Sequence, residues 1–291
     1  MTALDARNLP AAPRPADRFV AVDGLRLRYI EEGAGPAVLL LHGASLGSSA
    51  DVFARNLKPF ARAGLRAIAF DQPGFGLSDI PSGHSAAYRR EIVPKFLDAL
   101  GLTRAALVGH SQAGKPAVAL ALKSPARFTH VVVLGTGSLL PPLSDAGDRG
   151  EDAQQRLERR MAASEPTLED TRKLLEANLF RHGLVTPEEL ATRHRHSTGA
   201  NFAAFAARQG EREGGKDGAP LWQHLTGLQV PLLMLYGRND RPTTAARVQL
   251  LKEKYPALDV RLLDGCNHLI PWDAADEFVR LTAAFLKAHP G

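Results

Sequence analysis

The chain has 291 residues, long enough for one large domain or a core domain carrying an insertion. Hydrophobic residues make up 44% and charged residues 23%, the ordinary balance of a soluble globular enzyme. The formal net charge of +5 comes without a dense Lys/Arg block, a zinc-like Cys/His spacing or aromatic residues interleaved with basic ones, which argues against nucleic-acid binding and a structural metal.

Residues 1–17 are polar and Pro-rich, without the apolar core of a signal peptide, and are expected to form a flexible arm. No run approaches the roughly 18 apolar residues of a membrane helix. The single cysteine, Cys266, rules out an internal disulfide framework and suits a reducing compartment. The expectation is a cytoplasmic protein with a small-molecule partner and neither a membrane nor a nucleic-acid partner. Its oligomeric form stays open, a homo-oligomer included.

"RFVAVDGLRLRYIEEG" (18–33) reads as a hairpin turning at Asp23-Gly24. Six short, nearly all-apolar runs follow: 37–43, 65–71, 104–110, 130–136, 230–237 and 259–265. Runs apolar on both faces suit a parallel sheet covered by helices on both sides. Helical spacing at 50–64, 85–101, 114–128 and 273–289 supplies those helices. The fold class is α/β, with a mostly parallel, doubly wound sheet.

From 141 to 220 no strand-like run occurs, and several segments read as amphipathic helices. Thr186-Pro187-Glu188-Glu189 has an N-cap residue, a Pro at the first helical position and acids in the first turn. This interval is expected to be a helical lid inserted into a core formed by 18–140 and 221–291, because a structureless loop of about eighty residues would be improbable.

"LVGHSQAGK" (107–115) places Ser111 where an apolar run ends and a helix begins. On a strained strand-to-helix turn such a serine points out of the top of the sheet, and Gly109, Ala113 and Gly114 keep its surroundings small. A serine N-cap would explain the same residue more simply. Pro116 is expected to cost the new helix an early hydrogen bond or bend it.

A serine nucleophile needs a base that is itself oriented by a carboxylate. Asp240 stands three residues beyond Gly237, and His268 three beyond Gly265, both straight after apolar runs. The order Ser111, Asp240, His268, each on the loop after a strand, points to a catalytic triad. "LLLHGAS" ends the first parallel strand at His42-Gly43. The backbone N–H groups of Ala44 and Gln112, with Gly43 nearby, are the candidate oxyanion hole. His42 is expected to hold this loop.

Through "LLLHGAS", "FDQPGFGLSD", "GHSQAG", "YGRNDRPTT" and "CNHLIPWDAADEFVRLTAAFL" the chain resembles the α/β-hydrolase superfamily over nearly its whole length. The resemblance implies an α/β-hydrolase fold with an inserted helical lid, and no metal or organic cofactor. Dehalogenases and epoxide hydrolases of this fold carry Asp where Ser111 stands, which disfavours an alkyl-enzyme route.

More narrowly, "HGASLGSSADVFARNLKPFARAGLRAIAFDQPGFGLSD" is similar to the meta-cleavage-product hydrolases, which split a carbon–carbon bond in 2-hydroxy-6-oxo-dienoates. By that resemblance "LVTPEELATRHRHS" is the lid helix whose arginine, here Arg193, takes the substrate carboxylate. An arginine on a charged helix is equally a solvated surface residue. The family usually reads Gly-Asn-Ser-Met-Gly-Gly at the elbow and Trp after the catalytic His. This chain has His110, Gln112 and Ala113, and Leu269, so His110 and Leu269 are candidate substrate contacts. Leu139, Leu140, Phe180, Phe202 and Phe205 are candidates for an apolar lid pocket, each equally well a core residue. A carboxylesterase or lactonase with the same triad is the leading alternative. A ligand-binding receptor and a cofactor-free dioxygenase on this fold are the others.

Overall fold

The first two alternating runs pair as a hairpin. β1 (Arg18–Val22) lies antiparallel to β2 (Leu25–Glu32), and both turn residues, Asp23 and Gly24, have positive φ (49° and 78°), as a type I′ turn requires. The remaining strands are β3 (Ala37–Leu41), β4 (Arg66–Phe70), β5 (Ala105–His110), β6 (Phe128–Leu134), β7 (Leu232–Gly237) and β8 (Asp259–Leu263). They form one eight-stranded sheet in the order β1-β2-β4-β3-β5-β6-β7-β8, parallel from β4 to β8. The computed structural model describes residues 14–82, 86–144, 153–161, 163–210 and 220–290. Residues 1–13 of the expected arm, and 145–152, 162 and 211–219 of the expected lid, lie outside the described residues.

Three helices follow the first parallel strands: α1 (Ala54–Arg62) after β3, α2 (Ala86–Ala99) after β4 and α3 (Gly114–Lys123) after β5. Between β6 and β7 come α4 (Ala153–Met161), α5 (Leu168–Glu176), α6 (Pro187–Arg195) and α7 (Gly199–Gly210), with no strand among the described residues of this interval. After β7 stands α8 (Thr244–Lys254), which the sequence pattern did not single out. After β8 come α9 (Ile270–Asp273) and α10 (Ala275–Ala288). None of the described helices is long and apolar enough to cross a membrane.

Each central strand feeds two cores, which explains its unbroken apolar composition. Leu39, Leu107, Val131, Val133 and Met234 join α2, α3 and α8 on one face. Val38, Leu40, Val108, Val132 and Leu233 join α1 and α10 on the other. Each fully buried Leu or Val side chain contributes about 1.5–3 kcal/mol, so these alternating rows fix the sheet's register.

The expected cap at Thr186 is present as a capping box, with Thr186 Oγ1 accepting from the Glu189 backbone N–H at 3.3 Å. Pro116 falls in the first turn of α3, directly after the 3-10 turn Ser111–Ala113, which the Gly114 N–H closes onto the Ser111 carbonyl. Without an N–H, Pro116 cannot carry that pairing on into α3.

β3 has β4 on one side and β5 on the other, so the connections leaving β3 and β5 run to opposite sides. A crevice therefore opens at the carboxyl ends of these two strands. Gly43 and Ser111 both leave the sheet there.

Candidate active site

Ser111 has φ +56°, one of two non-glycine residues with positive φ among those described. Such a conformation costs an L-residue free energy and is held by its surroundings. The turn around it is crowded. A Cβ on Gly114 would come within 2.0 Å of Thr136 Oγ1, and one on Gly43 within 2.9 Å of Ser111 Cβ. Glycine at these two positions lets the β3 loop and the start of α3 close around the serine. Thr136 Oγ1 donates to the Ser111 carbonyl at 2.6 Å and fastens the corner from β6.

His268 Nε2 lies 2.9 Å from Ser111 Oγ, and His268 Nδ1 lies 3.1 and 3.0 Å from the two carboxylate oxygens of Asp240. A carboxylate only accepts, so Nδ1 carries the ring proton and, in the neutral ring, Nε2 can accept from the serine hydroxyl. Burial works against the charge on Asp240. The neighbouring His268 and Arg241 nevertheless hold its carboxyl below the usual range, with Arg241 Nη1 3.1 Å away. The sequence-predicted Ser111, His268 and Asp240 thus form one continuous hydrogen-bonded chain drawn from three loops.

The loop carrying Gly43 is braced by His42. Its Nδ1–H donates to the Gly43 carbonyl at 2.6 Å, and its Nε2 accepts from the Gln72 backbone N–H at 3.0 Å. Burial pulls this ring's pKa to about 3, so it works as a neutral strut. Ala44 and Gln112, the other candidate oxyanion donors, flank the same corner and are partly buried and exposed, respectively.

A cavity of about 360 Å³ lies over Ser111. His110, His268, Leu269, Arg193 and Gly43 line it, together with Val52, Leu174, Leu175 and Asn178. Arg193, in the last turn of α6, donates from Nη2 to Ser45 Oγ at 2.7 Å.

The α/β-hydrolase fold family matches residues 36–275 of this chain. The chain belongs to the α/β-hydrolase family. Among curated relatives it is 31% identical to a 2-hydroxy-6-oxononadienedioate/2-hydroxy-6-oxononatrienedioate hydrolase of Burkholderia vietnamiensis, covering 92% of this chain and 94% of the relative. It is 30% identical to a 2-hydroxy-6-oxo-6-phenylhexa-2,4-dienoate hydrolase of Burkholderia cepacia, covering 92% and 96%. A solved meta-cleavage product hydrolase from Pseudomonas fluorescens superposes with a TM-score of 0.77 at 24% identity, over 93% of this chain and 97% of that one.

Not every candidate of this α/β-hydrolase lies at the cavity. Leu139 and Leu140 are buried in the core shared with α2, α3 and α8. Phe205 packs with Leu46, Met161 and Leu174, and Phe202 against them. Phe180 is 51% exposed, because its backbone N–H is held by Asp273 and its ring is left over Gly265.

Sequence reasoning missed Ser45, Leu175 and Asn178, which reach the cavity through tertiary contacts. The buried Asp273 carboxylate accepts from the backbone N–H groups of Asn267 (2.9 Å), Phe180 (2.8 Å) and Arg181 (3.0 Å). The Leu269 N–H donates to the Asn178 carbonyl at 2.9 Å. These bonds tie the segment after α5 onto the His268 loop. No local signal marks them, although an Asp five residues after a candidate catalytic His is a position worth testing.

Proposed function

We propose that this chain is a serine hydrolase that cleaves a carbon–carbon bond of a 2-hydroxy-6-oxo-dienoate. The observation that carries the reading is the unbroken Asp240–His268–Ser111 chain at the mouth of the β3/β5 crevice. The names of the curated relatives supply the substrate class.

The substrate first ketonises, its 2-hydroxyl proton moving to C5, a transfer that falls to His268. Ser111 then attacks the C6 carbonyl carbon as its proton passes to His268 Nε2, with Asp240 stabilising the imidazolium. The oxyanion develops toward the N–H groups of Ala44 and Gln112, beside Gly43. One such donor is worth about 3 kcal/mol in the transition state. Collapse breaks the C5–C6 bond, and C5 leaves as a carbanion conjugated with the new ketone and takes the proton from His268. Water, deprotonated by His268, then frees the acid from Ser111. The substrate carboxylate pairs with Arg193, whose planar fork suits two parallel hydrogen bonds. The helices within 141–220 act as a lid over this site.

His110 at the elbow favours a second reading, an esterase or lactonase using the same triad, because it departs from the asparagine usual in dienoate hydrolases. A paired assay separates the two. The purified protein should bleach a yellow 2-hydroxy-6-oxo-dienoate, and Ser111→Ala should lower that rate by at least about 10³-fold. Turnover of p-nitrophenyl acetate without bleaching would reject carbon–carbon cleavage in favour of ester hydrolysis.

A further inference from the structure

A cluster of buried charges holds the loop after β3, outside the Asp240–His268–Ser111 chain. Arg28, on β2, is fully buried, and its guanidinium is shared among three carboxylates. Its Nε and Nη2 donate to Asp17 Oδ1 at 2.9 and 2.6 Å. Nη2 and Nη1 donate to the two oxygens of Asp51 at 2.8 and 3.1 Å, and Nη1 donates to Asp71 Oδ1 at 3.1 Å. Asp71, just past β4, also accepts from the Ala50 and Leu77 backbone N–H groups at 2.6 and 2.8 Å.

Asp51 carries this cluster to α6. Its Oδ2 lies 3.4 Å from Nε2 of His196, the residue that caps the C-terminal end of that helix. The His196 ring is buried, and its Nδ1 has no partner among the described residues, so its polar hold is Asp51. A carboxylate only accepts, so Nε2 presents the N–H. Burial works against the charge on Asp51, yet His196, Arg28 and Arg14 hold its carboxyl well below the usual range. The same loop meets the helix end at Gly47, which has φ +73°. A Cβ on Gly47 would come within 2.6 Å of the Arg193 carbonyl oxygen.

We infer that Asp51 and His196 are positioning residues, which seat the C-terminal end of α6 on the loop after β3 and so aim Arg193 at the cavity over Ser111. Arg193 and His196 stand three residues apart on one face of the helix end, so moving the ring moves the guanidinium. Desolvation offsets much of the attraction in a buried ionic cluster, and what this one supplies is a fixed direction for Asp51. The start of α6 is held separately, by Glu189 paired with Arg55. Releasing His196 therefore frees the end that bears Arg193 without undocking the helix. The inference rests on Arg193 receiving the substrate carboxylate.

The test measures kcat and KM of the full-length protein for a 2-hydroxy-6-oxo-dienoate and for p-nitrophenyl acetate. His196→Leu removes the donor, and His196→Gln returns an N–H toward Asp51. In His196→Leu the dienoate KM should rise about three- to tenfold with kcat within about twofold, and acetate kcat/KM should stay within about twofold of the parent. His196→Gln should bring the dienoate KM back to within about twofold of the parent's. Added to Arg193→Ala, His196→Leu should cost less than about twofold more, because its effect passes through the arginine. Asp51→Asn weakens the same contact from the core side and should give the same split between substrates, which keeps the test sound if one variant fails to fold. An unchanged dienoate KM, an equal loss on the acetate, or a loss that multiplies with that of Arg193→Ala would overturn the inference and leave the Arg193 reading intact. If Arg193→Ala alone lost both substrates equally, or the parent left the dienoate unbleached, the carboxylate reading would fail and the inference with it.

Discussion

His110 donates through Nε2 to the backbone carbonyl of His268 at 2.9 Å, and the two rings lie 5.0 Å apart. A carbonyl only accepts, so the ring proton is on Nε2 and Nδ1 keeps its lone pair. Burial, with the neighbouring His268 adding to it, pulls the His110 pKa from the ordinary 6.5 to about 3. The residue before the candidate nucleophile is therefore a neutral imidazole that steadies the His268 loop.

That tautomer has a consequence for stability. Between pH 6.5 and about 3 an unfolded His110 binds a proton that the folded protein refuses. Stability is therefore complete above 6.5 and declines as pH falls toward 3, by about 1.4 kcal/mol per pH unit for one such group. His42 adds a second contribution of the same sign. His110→Asn keeps a donor for the His268 carbonyl but does not titrate. Urea unfolding between pH 6 and 4.5 should show its stability declining about 1 kcal/mol per pH unit less steeply than the parent's. Equal slopes would mean that His110 is not buried as a neutral ring.

Asp273 gives a second prediction. Its carboxylate, 2% exposed, holds the N–H groups of Asn267, Phe180 and Arg181. An unmet buried donor costs about 1–3 kcal/mol, so Asp273→Ala should destabilise the protein by about 3 kcal/mol. Hydrogen exchange should accelerate at these three amides before it does in β5 and β6. Unchanged exchange there would show that the segment after α5 is held to the His268 loop by packing instead.

Much of this was legible in the sequence, for identifiable reasons. Strands buried on both faces print as continuous apolar runs, so β3 to β8 could be placed within a residue or two. Ser111, Asp240 and His268 each stand just past such a run, so their loops had to share one edge of the sheet. The helix α8 escaped notice because "TAARVQLLKEK" is short and buries only Thr244, Val248 and Leu251. The pocket walls escaped for a different reason. An apolar residue between β6 and β7 can face a core or a cavity with the same periodicity, and Leu139 and Phe205 face cores. Leu175 and Asn178 reach the cavity beside bonds that span 92 and 93 residues, a separation at which local pattern carries no signal.

Arg193 separates the carboxylate-binding role from a structural one. Its Nη2 bond to Ser45 joins α6 to the loop after β3, so the same side chain both fastens the helix and faces the cavity. If it receives the substrate carboxylate, Arg193→Ala should raise KM for a 2-hydroxy-6-oxo-dienoate by about 10- to 100-fold, the worth of a charge-assisted pair. The kcat/KM for p-nitrophenyl acetate, which has no carboxylate, should change by no more than about twofold. Arg193→Lys should recover part of the loss, because the charge returns without the planar fork. Ser45→Ala tests the other role, since it removes the tie and keeps the guanidinium. It should cost less on the dienoate than Arg193→Ala does. Equal losses on the dienoate and the acetate in Arg193→Ala would instead mean that the arginine only holds α6 in place, and the carboxylate would need another partner.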